Sequence, residues 1–306
     1  MGNEVPPGSE KVLILTPVKD ASQYLDTYFE MIFRLTYPHE LISLGFLESD
    51  STDATYERLL EKLPGLRKEF RSASIFKRDF GFRMPKGVPR WAFPYQRERR
   101  SVLAKSRNQL LFRALRDEEW VLWMDVDVLE YPPGIIERLL GYGKDIIEPN
   151  CVLEYGGPSF DLNAWRSKGK YHLDDLKSEG VVVKLDAVGG AMLLVKADLH
   201  RDGLIFPTFP YGKGSSLIRN RRGRYLKSTK EVLASMTKVR KAGRFLRETV
   251  GDDLLRKSGG SYFVGEIETE GFGIMAHDMG HDCWGVPGLE IKHRKEPEPV
   301  EAGPRA

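Results

Sequence analysis

At 306 residues, 41% hydrophobic and 30% charged, the chain describes an ordinary globular protein with one large α/β domain and a real core. Its two cysteines, Cys151 and Cys283, exclude a disulfide framework, and no run approaches the ~18 apolar residues of a bilayer-spanning helix. The formal charge of +3 is unevenly spread: Gly212 to Ser261 carries 14 Lys and Arg against 4 Asp and Glu, which speaks for an anionic partner more than the total does.

In chain order, residues 1–10 predict a disordered start, and Lys11 to Pro17 an apolar strand closed by a Thr-Pro turn. Apolar positions from Tyr24 to Leu35 recur at helical spacing, and Tyr37-Pro38 ends that helix. Leu41 to Leu47 predicts a second strand. The polar run from Glu48 to Thr55 leads into a helix that Pro64-Gly65 should stop. Ser74 to Lys77 predicts a weaker strand, and Phe80 to Pro94, rich in Gly, Pro and aromatics, a loop lying over a site. A helix over about 96–117 then feeds the apolar strand Trp120–Met124. Pro132-Pro133 starts a short helix, Ile135 to Leu140, and 145–150 predicts a strand. Val181–Leu185 and Ala191–Val195 predict strands on either side of Gly189-Gly190, Glu268–Met279 a helix, and Leu289–His293 a last strand. The Glu/Pro-rich tail, 295–306, is expected to be disordered. Strand–helix alternation predicts an α/β fold over 11–294, a doubly wound, mostly parallel, Rossmann-like sheet. The basic segment at about 212–262 interrupts it as a helical insertion opened by the capping box Ser228-Thr229-Lys230-Glu231.

The most informative stretch is Trp120 to Val128, where a buried-type strand ends in Asp125 and Asp127. Side chains two apart on extended backbone share a face, so the pair can converge on one object. Hard oxygen ligands at a strand end suit Mg²⁺ or Mn²⁺. The carboxyl ends of strands are also where open α/β sheets hold their ligands.

A series of strings keeps order from Val12 to His293: Leu15-Thr16-Pro17-Val18-Lys19-Asp20, Ser49-Asp50-Ser51-Thr52-Asp53, Arg107-Asn108, Asp125-Val126-Asp127, Asp186-Ala187-Val188-Gly189-Gly190 and Glu268-Thr269-Glu270-Gly271-Phe272, among others. Together they resemble the fungal Golgi mannan-polymerase mannosyltransferases, glycosyltransferase family 62. The resemblance implies a GT-A fold, a GDP-mannose donor, Mn²⁺, a glycan or glycolipid acceptor, and transfer with retention at the anomeric carbon. Two features depart from that family: no membrane anchor precedes the domain in this sequence, and the insertion between Tyr211 and Glu266 replaces a short connection. The expected location is therefore cytoplasmic or peripheral to a membrane on its cytoplasmic side, or the Golgi lumen if an anchor lies ahead of residue 1.

The expected site follows from chemistry and resemblance together. Asp127 is the first choice for a metal ligand, with Asp125 on metal or ribose, and His293 matches the family's metal-binding histidine. Arg99 and Arg100 offer forks for the diphosphate. Thr16, Pro17 and Asp20 follow the first strand, where the nucleotide should lie, and Glu48, Ser49 and Asp50 follow the second as candidates for base or ribose. Asp161 matches a family acid near the donor sugar, Asp186 precedes Gly189 and Gly190, whose bare backbone would admit a sugar, and Glu268 and Glu270 start a helix on the acceptor side. Retention leaves two routes open, a glycosyl intermediate on a carboxylate or attack from the side of the leaving phosphate. The basic segment is expected to pack on the domain, with contact to an anionic membrane surface or acceptor; no nucleic-acid module accompanies it. Another nucleotide sugar (GDP- or UDP-glucose type) and a silent, lipid-bound scaffold subunit are the alternative readings.

Overall fold

The computed structural model describes residues 9–85, 88, 93–212, 215 and 266–294. The basic insertion, all but its ends, the first eight residues and the 295–306 tail lie outside the described residues. The strand β1 (Val12–Val18) pairs in parallel with β2 (Ile42–Glu48) and β4 (Trp120–Met124), and β3 (Ser72–Lys77) pairs in parallel with β2. Beyond β4 the pairing turns antiparallel through β8 (Met192–Lys196) to β6 (Ile146–Val152). The long strand β9 (Cys283–His293) runs parallel to β6, and β5 (Val128–Glu130) and β7 (Val183–Leu185) pair with it antiparallel. The order is β3-β2-β1-β4-β8-β6-β9-β5, with β7 off that path on β9. The α/β architecture is thus as expected, with its parallel half on the nucleotide-expected side and a mixed half beyond.

Alternation along β1 shows why the sheet is covered on both faces. Val12 and Ile14 join a core with α1 (Leu25–Phe33), α2 (Thr55–Glu69) and α4 (Ile135–Gly141). Leu13 and Leu15 join the opposite core with α3 (Phe93–Ala114), α5 (Ala197–Arg201) and α6 (Glu268–Asp278). Each fully buried Leu or Ile contributes about 1.5–3 kcal/mol, so both layers stabilise the same strands. No described helix is long and apolar enough to cross a membrane.

Three boundaries differ from expectation for physical reasons. The helix α2 runs through Pro64 to Glu69, because one lost backbone bond is outweighed by burial of Leu59 and Leu66. The strand β9 begins at Cys283 rather than Leu289: the register against β6 jumps from Val286 to Glu290, so Pro287 and Gly288 sit in a bulge where neither breaks the sheet. The strand β5 is three residues long and too short to announce itself in the sequence.

Directions bring the site together. The carboxyl ends of β1, β2 and β4 lie at one edge because the strands are parallel and in register. Antiparallel β8 brings its start, Ala191-Met192, to that edge, and β6 and β9 return their own ends, with His293 opposite Val128.

Candidate functional site

A cavity of about 330 Å³ opens at this edge. Its walls are Pro17 to Asp20 at the end of β1 and just past it, Ser49 after β2, Phe82 and Met84 from the loop after β3, one side of α3 from Arg99 to Ser106, the Asp125–Asp127 turn and Arg294. Of the donor-side residues expected from sequence, the cavity contains Pro17, Asp20, Ser49, Arg99 and Asp125.

Asp125 and Asp127 do not lie on extended backbone. The strand β4 ends at Met124, and the pair occupies a turn closed by the Val128 N–H on the Asp125 carbonyl at 3.3 Å. Their carboxylates take different partners. Asp127 Oδ1 stands 3.1 Å from His293 Nε2, and Oδ2 stands 3.4 Å from Arg294 Nε. Asp125 Oδ1 accepts from Arg107 Nη2 at 2.9 Å. Burial pushes the Asp125 carboxyl up, Arg107 pulls it down, and Asp127 and Glu268 add to the rise; the net direction is upward, tempered by the 29% of its side chain that opens to the cavity.

His293 is held in place from both ring nitrogens. Its Nδ1 donates to the Arg294 carbonyl at 2.9 Å, which aims Nε2 at Asp127. Burial alone would lower its pKa, but the hydrogen bond and charge of Asp127 outweigh burial and raise it. Among the described residues no group of three or more His, Cys, Asp or Glu could hold a metal ion. The donor set therefore fits a divalent cation only as a two-donor site, Asp127 with His293, for an ion that takes its remaining oxygens from phosphate and water. Asp125 is turned to Arg107 rather than to that corner.

Behind Asp125 lies a buried ion network that the sequence reading largely missed. Arg107, 1% exposed, reaches Asp125, the Gly190 carbonyl at 3.3 Å and Glu268 Oε1 at 3.1 Å, and its guanidinium stands over the Trp123 and Phe206 rings. Glu268 adopts a left-handed φ of 61° at the start of α6, which strains a non-glycine residue and brings its carboxylate inward. Arg100 donates to Glu270 at 2.7 Å and to the Ile267 carbonyl at 2.7 Å, so its fork faces this network and not the cavity. Glu270 also accepts from Trp165 Nε1 at 2.7 Å.

A second carboxylate pair frames Gly189 and Gly190. Asp161 Oδ2 accepts the N–H groups of Gly190 at 2.7 Å and Ala191 at 3.2 Å, and the wholly enclosed Glu148 on β6 accepts the Gly189 N–H at 2.8 Å. A Cβ on Gly189 would stand 2.5 Å from Asp161 Oδ2 and 2.9 Å from Glu148 Oε2, so both acids occupy the space a side chain would need. Burial and the Asp161 charge raise the Glu148 pKa well above the ordinary carboxylate range. Asp186 turns the other way and accepts the Ser167 N–H at 2.8 Å.

The remaining expected residues serve the frame. Thr16 is buried with its hydroxyl on Tyr28 at 2.7 Å, and Glu48 accepts the Ser51 N–H at 2.9 Å. Asp50 accepts the N–H groups of Phe80 and Gly81, which sets the loop carrying Phe82 over the cavity. Lys19 completes that cover by donating to the Phe82 carbonyl at 2.7 Å. Arg107, Glu148 and Arg294 were absent from the expected site. Arg107 had a signal in the Arg107-Asn108 string and Glu148 in an acid within an apolar strand, whereas Arg294, one residue past β9, had none of its own.

The family model described as Anp1 matches residues 4–177 and 169–210. The Schizosaccharomyces pombe mannan polymerase complex subunit mnn9 is 33% identical over 328 residues, 94% of this chain and 81% of that protein. The mannan polymerase II complex anp1 subunit of the same yeast is 31% identical over 94% of this chain, which spans 65% of that subunit's length. The Saccharomyces cerevisiae mannan polymerase II complex ANP1 subunit is 33% identical over 67% of this chain and 49% of its own. Among solved structures, GalNAc-T7 with UDP, GalNAc and Mn2+ superposes with a TM-score of 0.51 over 94% of this chain and 44% of its own, at 10% identity. That last likeness is one of fold.

Proposed function

The chain belongs to the Anp1 family, and on that premise we propose that it is a divalent-cation-dependent glycosyltransferase that moves mannose from GDP-mannose to a glycan or glycolipid acceptor, as part of a larger assembly. The observation that carries this reading is the cavity at the strand ends, lined by Asp127, which pairs with His293, and by Lys19, Arg99 and Arg294. Apolar Pro17, Val102 and Leu103 give a base or ribose a dry wall, and the lining cations put positive charge around the space a diphosphate would take. Asp127 and His293 would hold the cation, Mn²⁺ in preference to Mg²⁺ because of the imidazole, and the ion supplies Lewis-acid neutralisation of the departing diphosphate.

The donor sugar then lies toward Asp161, which holds the Gly190-Ala191 turn; Gly189 and Gly190 are themselves buried, and Asp161, Glu148 and Arg107 fill the space beside them, so their bare backbone serves that turn and not the sugar. The carboxylates expected around the donor sugar and the acceptor are each engaged by the protein: Glu268 by Arg107, Glu270 by Arg100 and Trp165, Asp161 by backbone amides, Asp186 by the Ser167 amide. This supports the route in which the acceptor oxygen attacks on the face of the leaving group. A carbon–oxygen bond forms to the acceptor as the sugar–phosphate bond breaks, and the departing diphosphate takes the acceptor's proton.

Calorimetry with GDP and UDP, with and without Mn²⁺, together with a panel of GDP- and UDP-sugars assayed for hydrolysis, tests the reading. GDP should bind tighter than UDP and only with the metal. Metal-independent binding, a clear UDP preference, or binding with no turnover on any sugar would overturn it, the last in favour of a scaffold subunit.

A further inference from the structure

Arg294 meets the Asp127 corner from three sides. Its backbone N–H donates to the Asp127 carbonyl at 3.1 Å, its carbonyl accepts from His293 Nδ1 at 2.9 Å, and its guanidinium Nε stands 3.4 Å from Asp127 Oδ2. The guanidinium lies over the Tyr24 ring, 4.5 Å from its centroid, and Nη1 donates to the Tyr24 hydroxyl. Nε is buried and has no formed hydrogen bond, so its relation to Asp127 is one of charge alone. The same side chain is a wall of the cavity.

Asp127 is thus approached by two cationic groups, an imidazole on Oδ1 and a guanidinium on Oδ2. A divalent cation on this carboxylate would meet the like charge of the guanidinium at short range. The guanidinium stays charged and must give way. Its stacking on Tyr24 tethers it at the cavity wall, so the movement open to it is a turn of its head along that wall, toward the space where a diphosphate would lie. A phosphate offers the paired oxygens that its planar fork matches.

The geometry points to a double role for Arg294: counter-ion of Asp127 while no divalent cation is bound, and binding residue for the donor's diphosphate once one is. This rests on the nucleotide-sugar reading above. It assigns the residue opposite effects on two equilibria, which a purely structural clasp between the end of β9 and Tyr24 would not produce.

The test is calorimetry on the full chain, titrating Mn²⁺ alone and then GDP at saturating Mn²⁺, for wild type, Arg294→Gln and Arg294→Lys. Arg294→Gln should bind Mn²⁺ alone several-fold tighter than wild type, because the competing charge is gone. It should bind GDP about tenfold weaker, as expected for one lost charge-assisted contact. Arg294→Lys keeps the charge but not the fork, so its Mn²⁺ affinity should stay near wild type while GDP weakens several-fold. Arg294→Gln with unchanged or weaker Mn²⁺ binding, or with unchanged GDP binding, overturns the inference. Should that variant not fold, unchanged GDP affinity in Arg294→Lys does the same. A wild type that binds neither Mn²⁺ nor GDP removes the nucleotide-sugar reading and this inference together, whereas one that binds both beside an unaltered Arg294→Gln removes this inference alone.

Discussion

Arg107 carries a full charge in a position 1% exposed, where its neighbours are Asp125, Glu268 and two aromatic rings. Removing one partner of such an enclosed network strands the others, so Arg107→Met should lose about 3–5 kcal/mol of stability in a denaturant titration. A loss under about 1 kcal/mol would mean that water already reaches Glu268. Asp127 offers the contrasting case, because it borders the cavity and its removal strands no acid. Asp127→Asn should keep a melting temperature near wild type while sugar-nucleotide turnover drops by at least about 100-fold. In the metal-free protein the same change should lower the His293 pKa, since Asp127 is what lifts it against burial; an imidazole titration by NMR that shows no fall would contradict the pairing. Asp127 was legible in the sequence because an apolar strand stopped abruptly on carboxylates. Arg107 was legible only as part of the Arg107-Asn108 string, since a single cation within the 22-residue α3 otherwise looks like any solvated helix position until the partner acids fold against it.

The element that carries Glu268 and Glu270 is α6, and its approach to the connection between β7 and β8 depends on Gly273. A Cβ there would stand 2.6 Å from the Ala187 Cα, a backbone atom that cannot rotate aside. Gly288, in the β9 bulge, has open space where a side chain would go. Gly273→Ala should therefore cost about 1–3 kcal/mol by overpacking, with Gly288→Ala nearly neutral, and equal effects in thermal melts would refute the close packing. Glu148 on β6 makes a prediction in pH. Its folded pKa is raised above the unfolded value, so its contribution to stability is full below about pH 4.3 and is lost as pH rises through the folded value. Glu148→Gln cannot lose that proton, so between pH 5 and about 8 its melting temperature should fall less than that of wild type. Parallel curves would show that Glu148 titrates normally. The strands and helices of this layer could be read from periodicity, but β5 and the true start of β9 could not. Three residues carry no period, and Pro287-Gly288 looks like a stop until β6 supplies the opposite side of a bulge.

At the scale of the whole molecule, the fold class was legible because alternating apolar strands and amphipathic helices leave few other arrangements, whereas the antiparallel half depends on long-range pairing that no local pattern encodes. The basic segment leaves and re-enters the fold at a single point: Tyr211 and Glu266 exchange N–H to carbonyl bonds at 2.9 Å each, just ahead of α6. Because those bonds already close the ends together, replacing 213–265 with a short Gly-Ser linker should shift the melting temperature by only a few degrees and leave GDP binding intact. Binding to anionic liposomes or acidic acceptors, and its salt dependence, should fall with the lost cations. Loss of GDP binding in the shortened protein would place the segment over the nucleotide instead.

The position of β9 in the sheet has a consequence for synthesis. It runs between β6 and β5, strands that precede it by more than a hundred residues of sequence. A chain emerging from the ribosome therefore holds a sheet with a missing plank until residues 283–293 arrive, and pairings of such large sequence separation form slowly. During that interval the edges of β5 and β6 are open to strands of other chains. Because His293 ends that same strand and Arg294 follows it, their pairing with Asp127 and the closure of the sheet are one event.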